Sequence, residues 1–214
     1  MKFGGEIVDD FVLDGLTADA RPVLIAALDN FAELGYHGTT TRIIAQAVDK
    51  SPTAVYTHYA SKHELLFQII LRGHENLLSR IVAAKESGST PGSQLTEVAR
   101  THAEFHAQYS AIARVSNYEL HNLMPEALEV ILKIRRQIEG IVRETIEAGT
   151  KCGEFDVSDG NLAAAAILSM GIDVSRWFQK RGRLTIKDIG DGYAIYVRRM
   201  VGITTPSGEE EGAQ

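Results

Sequence analysis

Apolar residues recur at helical spacing along nearly the whole chain, and this leaves little room for any fold but a helical one. Leu24, Ala27, Leu28, Phe31 and Leu34 follow that spacing, as do Leu65, Leu66, Ile69, Ile70 and Leu77. Residues 95–108, 110–123, 125–148, 159–179 and 186–201 each repeat near 3.6. Strand-type alternation is absent, so the expected class is all-α. Breaks fall at Gly35, at Pro125, at 149–153 and at Gly182, and 87–93, with Gly88, Pro91 and Gly92, reads as a linker.

The densest set of local signals lies at 39–62. Upstream, Asp19 is placed to cap a first helix, Pro22 falls in its first turn, and Gly35 stops it. Thr39 or Thr40 then caps a second helix, with Ile44, Ala47 and Val48 facing the first. Asp49 and Lys50 make a turn, Ser51 caps a third helix, and Pro52 takes its first position. Val55 and Tyr59, four apart, point inward, which leaves Thr53, Ala54, Thr57 and His58 on the outer face. Ser61 caps a long helix over 62–84.

Two helices at a tight turn can be mere packing. Here, however, the third helix presents small and hydrogen-bonding groups, a shape that lets a helix enter a DNA major groove. Tyr56 and Lys62 are positioned for phosphates, and 39–41 offer unpaired backbone N–H groups. The net charge of -6 opposes bulk attraction to nucleic acid, so binding must rest on this local site.

The segment GYHGTTTRIIAQAVDKSPTAVYTHYASKHELL resembles the N-terminal helix-turn-helix of the tetracycline-repressor (TetR) family. The match runs through the glycine-aromatic pair, Ile-Ala, Val-Tyr-x-His-Tyr and Ser-Lys-x-x-Leu-Leu. By this resemblance Thr39, Thr40, Ser51, Thr53, Tyr56, His58 and Lys62 take DNA-contacting roles, while Ile44, Ala45, Val55 and Tyr59 form core. Lys50, Ala54 and Thr57 complete the expected DNA-binding set. Three positions depart from the family pattern. Asp49 and Lys50 stand where a glycine and a small apolar residue are usual, and Thr53 where glycine is common. Asp tolerates the left-handed conformation, so the turn should survive. Asp49 weakens phosphate binding, Lys50 compensates, and Thr53 enters the sequence preference.

Composition marks 1–18, acidic and glycine-bearing, as a flexible arm and 204–214, polar and acidic, as a disordered tail; the resemblance implies a DNA-binding domain over 19–65 and a helical ligand-binding and dimerisation domain over 66–203. It further implies a homodimeric regulator, a repressor released from a palindromic double-stranded DNA operator by a small apolar effector. The last two long helices suit dimerisation, with Leu162, Ala165, Ala166, Ser169 and Ile172 on one and Ile189, Tyr193, Ile195, Tyr196, Val197 and Met200 on the other. For the ligand, the candidates are His102, Phe105, His106, Tyr109, Asn117, Tyr118, His121, Met170, Asp173, Arg176 and Trp177.

Residues 173–203 are similar to a branch of the family that controls fatty-acid or steroid catabolism and answers to acyl-CoA thioesters. The shared elements are Arg176-Trp177-Phe178, a glycine before an apolar-Thr pair, and a final Tyr-containing helix. On that reading Arg135, Arg136, Arg176 or Lys180 meets the coenzyme phosphates. Two alternatives stay open: a ligand-binding helical dimer without operator binding, and a small enzyme using His102 and His106. Against the enzyme, no nucleophile elbow, phosphate loop or complete metal-ligand set is present, and the single cysteine, Cys152, has no evident base. No cofactor or metal is expected. No apolar run is long enough for a membrane helix and no signal peptide is evident, so a cytoplasmic protein is expected.

Overall fold

The computed structural model describes residues 13–203, and among these every regular element is helical. Nine α-helices follow in order: α1 (Ala20–Gly38), α2 (Thr41–Ala47), α3 (Pro52–Tyr56), α4 (Lys62–Ser87), α5 (Pro91–Gln108), α6 (Ser110–Tyr118), α7 (Pro125–Lys151), α8 (Gly160–Trp177) and α9 (Ile186–Met200), with a 3-10 turn at Leu120–Asn122. None is long and apolar enough to cross a membrane. The expected tail, 204–214, and the first part of the arm, 1–12, lie outside the described residues. The end of the arm is not free, because Arg72 donates to the Asp14 carbonyl at 2.8 Å and Leu16 packs against the core.

The helix boundaries follow capping chemistry. Thr40 Oγ1 accepts from the Ile43 N–H, Ser51 Oγ from Ala54 and Ser61 Oγ from Glu64, each satisfying a donor left over at a helix start. Asp19 is a correction: its carboxylate makes no cap bond and instead accepts from Lys50 Nζ at 3.2 Å. Gly35 breaks α1 with φ 74°, as glycine permits, and one further turn closes the helix. Asp49 holds φ 54°, so the turn between α2 and α3 does use the left-handed conformation expected of it. Ala47 is exposed, at the edge of a groove it shares with Pro22, Ile25 and Ala26 of α1.

The linker expected over 87–93 is also corrected. α4 continues to Ser87 and α5 begins at Pro91, where Thr90 and Ser93 form a reciprocal capping box. Capping reduces the break to a corner.

Ile44, Val55 and Tyr59 bury against α1, and the same apolar cluster continues along Leu65, Leu66, Ile69 and Ile70 of α4 into the larger domain. α4 runs unbroken past residue 65, so the expected division falls inside a helix. α5 lies at the centre of the larger part, packed by α4, α7, α8 and α9. α6 is short, yet touches α1, α4 and α8 at once. Gly73 makes that approach possible: a Cβ there would lie 2.6 Å from Ile112 Cγ2 on α6. Gly73→Ala is therefore expected to cost about 1–3 kcal/mol by overpacking, read as a lower urea midpoint at constant slope; an unchanged midpoint would show that α4 and α6 can separate freely.

Candidate functional site

The first candidate surface is built by α2, the turn and α3. Thr40, Ser51, Thr53, Tyr56 and Thr57 are exposed, and Ala54 and His58 are partly so. Tyr56 is half exposed, and its hydroxyl lies 3.2 Å from Thr41 Oγ1, which ties the end of α3 to the first turn of α2. Lys50 is held by Asp19 through an exposed pair, worth little in water and readily exchanged for another anion. Arg42, exposed beside the threonine run, was absent from the sequence-derived set. Its signal was a cation in the first turn of α2.

Two members of that set have other work. Thr39 is fully buried, and its hydroxyl donates to the Gly35 carbonyl at 2.9 Å, closing the kink in α1. Its side chain is not available to a partner. Lys62 Nζ donates to the carbonyls of Tyr36 and Thr39, both at 2.8 Å, and lies 3.9 Å from the centre of the Tyr36 ring. Burial lowers its pKa and the Glu119 carboxylate opposes that shift.

The second candidate is a cavity of ≈ 240 Å³ between α4, α5, α6, α7 and α8. Of the sequence-derived ligand residues it gathers His102, Phe105, His106 and Asn117. Leu77, Ile138, Leu168 and Ile172 supply apolar wall, and His74, Ser116 and Arg135 add polar groups. The arginine is anchored: Nε donates to His74 Nε2 at 3.0 Å, and Nη2 to Asn117 Oδ1 at 2.6 Å and the Ser116 carbonyl at 3.2 Å. His74 Nδ1 lies 2.9 Å from the Ile70 carbonyl, so its proton sits there and Nε2 is left to accept. His106 makes the same bond to the His102 carbonyl at 2.8 Å, and these two rings lie 4.4 Å apart. Burial pushes His74 and His106 down to about 4 and His102 well below the usual imidazole value, so all three are neutral at pH 7.

The other sequence-derived ligand residues stand elsewhere, because a shared helical pattern does not say which turn of a helix faces a cavity. Tyr109 is buried, but its hydroxyl accepts from Arg80 at 3.0 Å. Tyr118 and His121 are exposed. Met170 offers its carbonyl to the Tyr193 hydroxyl. Arg176 is exposed and paired with Asp173 one turn earlier, and Trp177 borders a separate shallow groove with Phe178 and Leu184. His74, Ser116 and Arg135 were not in that set. They lie on three helices, and no local pattern joins them.

On α8 and α9 the apolar side chains divide. Leu162 (69%), Ile195 (48%), Tyr196 (58%) and Met200 (40%) are exposed, whereas Ile189 and Val197 are spent in the chain's own core. Ala165 and Ser169 are exposed and also line the cavity, so its open side adjoins this apolar face.

Comparison with known proteins agrees at both ends of the chain. Residues 23–69 match the family model described as bacterial regulatory proteins, tetR family, and 88–201, more than half of the chain, match the tetracyclin repressor-like, C-terminal domain. The chain is 25% identical over 195 residues to the HTH-type transcriptional repressor KstR2 of Rhodococcus jostii (strain RHA1), covering 90% of this chain and 94% of that one. A solved bacterial regulatory protein in the tetR family from Rhodococcus RHA1 is 40% identical with a TM-score of 0.83, over 88% of this chain and 100% of that one. AibR, solved in complex with isovaleryl coenzyme A and operator DNA, shares the fold at a TM-score of 0.78 and 22% identity, over 87% and 100% of the two chains.

Lys62→Met should lower folding stability by about 1–3 kcal/mol through loss of two charge-assisted bonds, measured by thermal melting, while Tyr56→Phe leaves it nearly unchanged. The buried histidines set a pH dependence. Their folded pKa values lie below the unfolded value of about 6.5, so the unfolded chain binds more protons in acid. Their stabilisation is complete above that value and lost as pH falls toward 4. Denaturant titrations at pH 7.5, 6 and 5 should show a progressive loss, and His74→Asn should flatten it.

Proposed function

The chain belongs to the TetR family of bacterial transcriptional regulators, and we propose that it acts in the cytoplasm as a homodimeric repressor whose grip on a palindromic operator is released by a small apolar ligand. It works by binding and not by catalysis. The observation that carries this reading is the exposed face of α3 and the turn that follows it: a short, capped helix with hydroxyl and phenol groups outward and Val55 fully inward, then Thr57 and the partly exposed His58 imidazole. Thr53, Ala54, Thr57 and His58 are placed to meet base edges, and Thr40, Ser51, Tyr56 and Lys50 to meet phosphates, with Arg42 beside them. Lys62 serves mainly to hold the unit together, with one ammonium hydrogen left for a phosphate.

Twofold assembly through Leu162, Ile195, Tyr196 and Met200 would present two copies of α3 to successive major grooves, about 34 Å apart. The cavity supplies the switch. Ser116 and Asn117 line it on α6, and that helix ends at Glu119, whose Oε1 would lie 3.2 Å from a Cβ at Gly35. The same carboxylate acts on Lys62. Occupying the cavity therefore presses on the joint between the DNA-reading unit and α4, and a ligand that favours a different spacing of the two α3 helices lowers operator affinity. KstR2 is a repressor, and AibR was solved with isovaleryl coenzyme A, so an acyl thioester is one ligand class to test.

Titration of labelled DNA from upstream of the protein's own gene tests the assignment. Tyr56→Ala and His58→Ala are each expected to weaken binding about tenfold; full binding by both would remove α3 as the reading element. Tyr196→Glu combined with Leu162→Arg should sediment as a monomer and lose most operator affinity while keeping its helical content.

A further inference from the structure

The cavity holds a guanidinium that no carboxylate pairs with among the described residues. Arg135 is fixed by His74, Asn117 and the Ser116 carbonyl, all uncharged acceptors. No carboxylate forms an ion pair with it among the described residues. Glu139, one turn along α7 and also lining the cavity, is exposed and makes none. A guanidinium has five N–H groups, and among the described residues the two on Nη1 have no acceptor. The Ser116 hydroxyl beside it is buried without a hydrogen-bond partner, on a residue only 6% exposed. A hydroxyl is costly to leave unmatched inside a protein. Three neutral imidazoles nearby leave the charge of Arg135 as it stands.

We infer that the effector is a small carboxylic acid, its carboxylate seated between Arg135 Nη1 and the Ser116 hydroxyl and its apolar body lying against Leu77, Phe105, Leu168 and Ile172. A carboxylate has the oxygens to take both sets of donors, and the pairing with guanidinium is charge-assisted. The cavity volume of ≈ 240 Å³ admits a short apolar acid. The thioester carbonyl of an acyl coenzyme A is uncharged and would leave Arg135 without a counter-ion. The inference rests on the reading of the cavity as the effector site.

Calorimetric titration of the intact protein with octanoate and phenylacetate, each against its primary amide, and with octanoyl coenzyme A, tests it. The acids are expected to bind about 10- to 100-fold more tightly than the amides, the difference a charged hydrogen-bonded pair makes. Arg135→Gln should abolish that preference and Ser116→Ala should reduce it. Equal affinity for acid and amide, no binding of either acid at millimolar concentration, or tighter binding of the thioester than of the free acid would each overturn the proposal. The acid-amide comparison in the wild type and the Ser116→Ala variant keep the test decisive if Arg135→Gln fails to fold. Operator binding is measured in parallel. Acids that bind without loosening the operator complex would leave the carboxylate site standing and sink the release mechanism.

Discussion

A single ammonium group holds the two parts of this molecule in register. Lys62 opens the long helix α4 and reaches back to the Tyr36 and Thr39 carbonyls at the frayed end of α1. Those carbonyls are among the acceptors that a helix terminus leaves unsatisfied, and a cation there also meets the negative end of the helix dipole. The kink at Gly35 aims them, and buried Thr39 locks the kink. The orientation of α2 and α3 relative to α4 depends on this joint. Glu119, at the end of α6, brings a carboxylate of the larger domain to it.

This explains why α6 has to be short and closely packed. It touches the first helix, the long helix and α8, and it lines the cavity on its way. A ligand in contact with Ser116 or Asn117 is three or two residues from the carboxylate that borders the joint. Coupling between the sites needs no long chain of contacts. It needs only that α6 move as a body, which its dense packing against Gly73 favours.

What the sequence revealed was local chemistry. Thr40, Ser51 and Ser61 could be read as caps because a cap acts within three residues of itself, and Asp49 could be read as a left-handed turn because that preference belongs to the residue alone. Val55 and Tyr59 were legible because one helical turn sets them on a common face. The other work of Thr39 and Lys62 was not legible for the opposite reason: what holds their side chains is a kink in α1, twenty-odd residues away in the case of Lys62. The cavity divides along the same line. His102 and His106 belong to a local run dense in His, Tyr and Asn, which a sequence displays, whereas Arg135, His74 and Ser116 come together only when α4, α6 and α7 pack. Tyr118 and His121 share the composition of a pocket and none of its position.

Because α4 is continuous from the DNA-reading unit into the cavity wall, it is also a lever. Its 26 residues at about 1.5 Å each make a rod of roughly 39 Å, so a tilt of only about 5° displaces one end by some 3 Å relative to the other. In a twofold assembly both rods would tilt in opposite senses and the displacement between the two reading heads would double. A change at Gly73 or His74 too small to alter any helix would thus be geared up, by length alone, to a shift comparable with the spacing of base pairs along a duplex.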